Sequence, residues 1–129
     1  MTGETFRASI GGYQERYDPK KGIFFIEFDN LPLVKNVVKK LKVLARASAE
    51  DKFILVSGIR GRSGVIGMTG EGITDAKALQ CASVGLCMGS GCDVAKDSSD
   101  LVIMDNQFES IHKSMMWGIA VYDNVRKFI

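Results

Sequence analysis

The sequence has little of what marks a membrane-embedded, nucleic-acid-binding or disulfide-bonded protein. Its longest apolar runs, such as that from Phe53 to Val56, are far shorter than the roughly 18 residues of a membrane-spanning helix. Seventeen basic and fifteen acidic residues leave a net charge of only +2, which does not favour a nucleic-acid partner. There is no secretory signal pattern, and the odd cysteine count of three indicates a reducing compartment. The composition is that of an ordinary globular chain.

The three cysteines do not have the spacing of a zinc site. Cys81, Cys87 and Cys92 form no C-x-x-C pair, and His112, the only histidine, lies twenty residues beyond the last of them. Structural zinc sites usually show such closely spaced pairs. We interpret the cysteines as structural or incidental thiols.

Hydrophobic patterning predicts an α/β chain with a doubly wound parallel sheet, because short apolar strands alternate with helical segments. Residues 1–22 contain glycine and proline breaks without a sustained period, and we expect them to be irregular. Residues 48–51 read as a capping box that begins a helix. The last predicted helix carries an apolar stripe that we expect to be core, formed by Ile111, Met115, Ile119, Tyr122, Val125 and Ile129. The predicted strands are 23–28, 43–45, 65–68, 84–88 and 101–104, and the predicted helices are 31–41, 48–58, 76–82, 94–97 and 109–129.

A glycine-rich turn carries the residues most typical of a chemical site. Gly70 and Gly72 follow a predicted strand and precede a helix, where backbone can approach a ligand closely and an anion is favoured. Glu71 and Asp75 add two carboxylates beside that position. Carboxylates next to a phosphate make sense mainly when a hard cation such as Mg²⁺ lies between them. A tight turn with a helix cap is the alternative.

The residues around this turn resemble the hinge motif of the P-type ATPases, T-G-D-G-x-N-D-x-P-A-L-x-x-A-x-V-G-x-A-M-G. Here the run reads T-G-E-G-I-T-D-A-K-A-L from Thr69 and A-S-V-G-L-C-M-G from Ala82. The resemblance continues through D-V-A-K-D-S-S-D from Asp93 and, upstream, through the segment around Lys52. It covers residues 42–129, with a looser match at residues 2–7, and is nearest to the calcium pumps. The plasma-membrane and reticulum subtypes both remain open.

The resemblance implies a haloacid-dehalogenase-like fold and an incomplete phosphorylation (P) domain. Residues 1–129 would form one partial domain, with a less regular part at 1–41 and a motif-bearing core at 42–129. The expected role is a cytosolic fragment of a cation-transporting, by expectation calcium-transporting, ATPase at the cytosolic face of a membrane. Its partners would be the remaining P domain, the nucleotide-binding and actuator domains and the membrane helices. Because D-K-T-G-T, the phosphorylation motif, is absent from these residues, the isolated chain is expected to be inactive.

The same resemblance assigns roles to individual residues. Lys52 matches the lysine that neutralises the transferred phosphoryl group, and Asp75 matches the aspartate that orients this lysine and shares the metal site. Gly70 and Gly72 belong to the phosphate-binding turn. Mg²⁺ is the implied cofactor, bound weakly in the isolated chain, and ATP is the substrate of the parent pump.

Three residues depart from the family motif. Glu71 replaces the Mg²⁺-binding aspartate and carries its carboxylate about 1.5 Å further out, a misfit for a rigid octahedral ion. Thr74 replaces an asparagine that helps to hold the phosphate, and a single hydroxyl lacks that reach. Lys77 replaces a proline at the start of the helix. These departures imply a slow, altered or degenerate parent.

Two other functions remain as alternatives. The apolar run 23–28 resembles the nucleophile strand of a free-standing dehalogenase-like phosphatase, in which Glu27 would be the nucleophile and Asp29 the acid. The chain could also act as a non-catalytic scaffold or binding domain, since half an active site cannot run a phosphoryl-transfer cycle. A response-regulator-like domain does not fit the order of its acidic residues and lysine.

Overall fold

Helices and short strands alternate along most of the chain. The computed structural model describes residues 1–20, 22–63 and 65–129. In chain order, the elements are α1 Gly3–Ile10, β1 Tyr13–Asp18, β2 Ile23–Phe28, α2 Leu31–Lys40, α3 Ala49–Ser63, β3 Gly67–Gly70, α4 Ala76–Cys81, β4 Val84–Met88, α5 Asp93–Asp97, β5 Leu101–Ile103 and α6 Phe108–Phe128. A 3₁₀ turn at Ile73–Asp75 connects β3 to α4.

Two separate sheets organise these elements. Strands β3, β4 and β5 form a parallel sheet in that order, with Gly70 opposite Cys87 and Met88 opposite Ile103. Strands β1 and β2 form an antiparallel hairpin. The predicted α/β class with a parallel sheet is confirmed. Because all three parallel strands end at the same edge, the loops that follow them lie side by side there.

The prediction of irregular structure in residues 1–22 was wrong, because these residues contain α1 and β1. Helix α1 begins at the cap residue Thr2, whose hydroxyl accepts a hydrogen bond from the Thr5 N–H, and it ends at Gly11 with φ +77°. Phe6 and Ile10, one turn apart, are fully buried. A helix of eight residues with only two large apolar contacts is too short to show a sustained period.

The segment before α3 forms less sheet than predicted. Residues 43–45 form only an isolated parallel bridge between Ala45 and Thr2, extended by a backbone hydrogen bond from Gly3 N–H to Ala45 O. Short apolar runs do not distinguish a strand from an extended connection. The predicted strand at 65–68 lies two residues later in the structure, as β3.

Helix α3 confirms the capping box but extends past its predicted end. The Ser48 N–H donates to Asp51 Oδ2 at 2.8 Å, and the Asp51 N–H donates to Ser48 Oγ at 3.2 Å. Gly58 lies inside the helix instead of ending it. A Cβ at this position would lie 3.0 Å from Val34 Cγ1, so the glycine serves the close packing of α3 against α2.

The core and the last helix are arranged differently from the prediction. The largest buried cluster joins α1, α2, α3 and β2, with Phe6, Ile10, Val34, Phe53 and Ile54 among its members. In α6 only Ile111 of the apolar stripe is buried, whereas the other members are at least 52% exposed. The prediction that this stripe is core was therefore wrong, because amphipathic spacing shows an apolar face without supplying the surface that covers it. Within the described residues, no helix has the length and apolar character to cross a bilayer.

Candidate functional site

An ion pair links the start of α3 to the glycine-rich turn. Lys52, in the first turn of α3, donates from Nζ to Asp75 Oδ1 at 2.7 Å, although 23 residues separate the two along the chain. The Asp75 side chain is 13% exposed and that of Lys52 is 34% exposed. The pair is therefore shielded from water on the aspartate side and open on the lysine side.

The second oxygen of Asp75 closes the turn on itself. Asp75 Oδ2 accepts hydrogen bonds from the backbone N–H groups of Gly72 at 3.1 Å and Glu71 at 3.2 Å. Burial alone would raise the pKa of Asp75, but the hydrogen bonds from Lys52, Gly72 and Glu71 together hold that pKa below its ordinary value. Asp75 is thus ionised at neutral pH and fixes both the lysine and the loop.

The two glycines of the turn differ in what they do. A Cβ at Gly70 would lie 2.6 Å from the Cβ of Asp75, so this position cannot carry a side chain unless the loop moves. A Cβ at Gly72 would meet nothing closer than 3.5 Å. Glycine at position 70 is therefore required by the packing of Asp75. A side chain at position 72 would therefore start in ordinary van der Waals contact with Thr74 and Asp75.

A cleft of about 450 Å³ opens at this edge of the parallel sheet. Its lining includes Lys52, Gly70, Glu71 and Asp75, together with Met88 at the end of β4. Within the described part of the chain, the exposed carboxylate of Glu71 makes no hydrogen bond or ion pair, so its oxygens are available to a ligand. These four predicted site residues are brought together.

Of the predicted phosphate-binding residues, Gly72 is not among those that line this cleft, and neither is Thr74. The exposed side chain of Thr74 borders a neighbouring groove, together with Phe53 and Lys77. Lys77 itself reaches back to the hairpin, where its Nζ lies 2.9 Å from Glu15 Oε1 and 5.3 Å from the centre of the Phe24 ring. The lysine that replaces the family's proline thus contacts the hairpin instead of the cleft.

The residues of the phosphatase alternative lie elsewhere. Glu27 is on the hairpin, where it forms an exposed ion pair with Arg16 at 2.8 Å. Asp29 borders the same surface groove as these two residues, and none of the three lines the Lys52 cleft. Among the residues that the structure describes, Glu27 and Asp29 therefore have no lysine partner of the kind that a phosphatase of this class needs.

The cysteines form no metal site in the part of the chain that the structure describes. Cys81 and Cys87 are buried free thiols, and burial raises the pKa of Cys87. Across residues 1–20, 22–63 and 65–129, no three His, Cys, Asp or Glu side chains are grouped so that they could hold a metal.

Sequence reasoning missed a buried carboxylate one residue before Lys52. The Asp51 side chain is 1% exposed and forms an ion pair with Arg7 of α1. Burial raises its pKa, but the Ser48 backbone N–H and the Arg7 guanidinium outweigh that effect, and the pKa is lowered overall. A Cβ on Gly3 would collide with this carboxylate. The capping-box motif pointed to Asp51, but its partner Arg7 is 44 residues away in sequence.

Two further polar residues that hold loops were also missed, Asp100 at the amino edge of the parallel sheet and Asn106 at its carboxyl edge. Asp100 Oδ2 accepts a hydrogen bond from the Gly85 N–H at 2.8 Å, beside the start of β5. Asn106, with φ +54°, accepts from the Ser90 N–H at 2.8 Å and so ties the loop after β5 to the loop after β4. Asparagine tolerates this left-handed conformation better than most residues, which is the only sequence signal for its role.

Comparison with known proteins finds close relatives over most of the chain. Calcium-transporting ATPase 9, plasma membrane-type, of Arabidopsis thaliana is 47% identical over 96 residues, which are 74% of this chain and 9% of that protein. Calcium-transporting ATPase 2 of Schizosaccharomyces pombe is 47% identical over 94 residues, 72% of this chain and 7% of that protein. The chain thus spans less than a tenth of the length of these relatives. No model of a protein family matches it.

A solved structure has a related fold. The catalytic domain of the CPx-ATPase CopB-B superposes with a TM-score of 0.51 at 28% sequence identity. The match covers 64% of this chain and 34% of that one.

Proposed function

We propose that this chain supplies the phosphate-binding and Mg²⁺-binding half of a pump's phosphorylation site. The proposal is based on its homology to a segment of the calcium-transporting P-type ATPases. Sequence identity does not distinguish the pump subtypes, because relatives named plasma membrane-type and relatives without that label share the same 44% to 47% of the aligned residues. ATP and Ca²⁺ are the substrates proposed for the whole pump, and its other domains are the partners proposed for this chain.

The observation that carries this proposal is the Lys52–Asp75 ion pair beside the open cleft. Asp75 uses one oxygen to hold the ammonium and the other to hold the backbone of the turn. This arrangement aims one positive charge, already oriented, at the carboxyl edge of the sheet. A positioned charge of this kind stabilises a transferring phosphoryl group in the transition state and needs little reorganisation.

The donor set around the cleft fits Mg²⁺, which prefers oxygen ligands. Glu71 has a free carboxylate and is the first ligand we assign. Both oxygens of Asp75 already accept hydrogen bonds, so it would join such a site only through its remaining lone pairs. When bound, the ion would neutralise charge on the phosphate oxygens. Thr74 would need a change of the turn to reach the cleft.

The proposal is tested in a full-length pump that carries this segment. Lys52→Ala should lower the steady-state phosphoenzyme level most, by about 10² to 10³-fold, because one oriented electrostatic group of this kind is worth roughly 3–4 kcal/mol. Asp75→Asn should rank second, since it releases the lysine that it orients. Glu71→Asp should raise the phosphoenzyme level or lower its Mg²⁺ requirement.

Lys20→Ala, on the exposed hairpin turn, is the matched control for loss of a surface lysine and should leave the phosphoenzyme level unchanged. An active Lys52→Ala pump together with a neutral Glu71→Asp pump would show that these residues do not form the site. The scaffold interpretation would then replace the proposal.

A further inference from the structure

Basic residues are concentrated in one segment that contains no acidic residue. Residues 31–49 carry Lys35, Lys39, Lys40, Lys42 and Arg46 and neither aspartate nor glutamate. The twelve basic and fifteen acidic residues outside this segment leave the remainder of the chain with a net charge of −3. The small overall charge therefore conceals a local positive surface on α2 and the loop that follows it.

These cations have no partner within the described part of the chain. None of the five forms an ion pair with a described residue, and all except the half-buried Lys35 are exposed. The apolar face of α2 is occupied, since Val34 and Val38 are buried in the core. The lysines of α2 thus project from a helix that is anchored in the core, and Lys42 lies exposed on the loop that follows it.

A cleft of about 460 Å³ lies next to this surface, between α1 and α2. Its apolar lining includes Val37, Leu41 and Val43, the last of which is 69% exposed. Lys40 and Lys42 border the same cleft. An apolar floor with a cationic rim matches a ligand that carries both an apolar side chain and negative charge.

We infer that this cleft binds an acidic peptide segment of a partner protein, which inserts one apolar side chain between Lys40 and Lys42. The concave shape favours a peptide over a membrane, because a lipid surface would contact the lysines without filling the cleft. The rim charges should steer association and make it dependent on salt, since exposed charges are screened over about 8 Å at physiological ionic strength. The inference is independent of the function proposed for the Lys52 cleft.

The test measures binding of a fluorescein-labelled glutamate peptide with one central leucine to the 129-residue chain by fluorescence anisotropy. We expect saturable binding that weakens as salt is raised. Lys40→Glu/Lys42→Glu should weaken it by about tenfold or more. Arg126→Glu/Lys127→Glu, an identical charge change on exposed positions of α6, should alter it by less than about twofold. Circular dichroism verifies that both variants are folded.

A second probe tests the apolar part of the inference. The same peptide with serine in place of leucine should bind about tenfold more weakly, a loss of about 1.4 kcal/mol, because the apolar side chain that the cleft would bury is gone. Absence of saturable binding, or equal losses in the two double variants, would overturn the inference. Binding of phosphatidylserine vesicles that depends on Lys40 and Lys42, without such dependence for the peptide, would replace it with a membrane contact.

Discussion

The Lys52–Asp75 ion pair gives the most direct test of the candidate site, because it is measurable in the isolated chain without any ligand. We consider Asp75→Asn, which keeps the shape of the side chain and removes its charge. The second change is Lys52→Met, which keeps most of the apolar stem and removes the ammonium. Both single variants and the double variant together form a thermodynamic cycle that isolates the energy of the pair.

The expected size of the effect follows from the contacts. Asp75 accepts three hydrogen bonds, one of them from an ammonium, and its side chain is only 13% exposed. Hydrogen bonds to charged groups contribute about 1.5–3 kcal/mol, whereas fully exposed ion pairs contribute about 0.2–1 kcal/mol. We expect Asp75→Asn to cost about 2–3 kcal/mol of unfolding free energy and Lys52→Met about 1 kcal/mol. The coupling between them should be about 1–2 kcal/mol.

Urea unfolding followed by far-ultraviolet circular dichroism measures these free energies. Trp117 is a poor probe here, since it is 73% exposed on α6. Asp123→Asn, at an exposed position of α6, is the matched control and should change stability by less than about 0.5 kcal/mol.

The stabilisation that Asp75 provides should decrease in acid. The pKa of Asp75 is lowered in the folded chain, so its stabilising contribution is fully present above its unfolded pKa of about 3.9 and is lost as the pH falls through the folded value. The difference between wild type and Asp75→Asn should therefore stay constant from neutral pH down to about pH 4.5 and shrink below about pH 4. A coupling below about 0.3 kcal/mol, or a difference that grows in acid, would refute the ion pair and the site built on it.

Three further predictions concern the metal, the chemistry and the buried carboxylate. Mg²⁺ should bind the isolated chain at millimolar concentration or more weakly, which is an affinity of about 4 kcal/mol. Titration calorimetry should show that this binding is lost in Glu71→Gln. Micromolar binding of Mg²⁺ would contradict the prediction. Radiolabelled ATP should leave no hydroxylamine-sensitive label on the chain, because these residues contain no D-K-T-G-T motif, and stable labelling would disprove it. Asp51→Asn should destabilise the chain by about 2–3 kcal/mol in urea unfolding, because Arg7 loses the charge of a partner whose side chain is 1% exposed. The control Asp93→Asn, at an exposed position, should have little effect. Similar effects for both variants would indicate that the Arg7 contact contributes nothing.

Local patterns predicted the elements whose signals are contained within a few residues. The strands β2 and β4 and the cap at Ser48 lie where the sequence placed them, because alternation and capping depend on residues only a few positions apart. The helix α1 was missed, since its two buried side chains provide too short a pattern. The exposed stripe of α6 was mistaken for core, since periodicity does not reveal what lies opposite a helix.

The candidate site likewise has features that a continuous segment determines and contacts that only the tertiary structure creates. The amino-acid sequence by itself determined the α/β class, the position of the glycine-rich turn and the resemblance to the calcium pumps, because each depends on the order of residues along a continuous segment. The family resemblance already implied that Asp75 orients Lys52, and the structure has that contact. Only the tertiary structure decided that Thr74 borders another groove and that Lys77 contacts Glu15. It also brought Asp51 to Arg7. These contacts depend on how the helices and the hairpin pack against the sheet. The packed surfaces come from segments that are far apart in sequence, so no single segment predicts which residues meet.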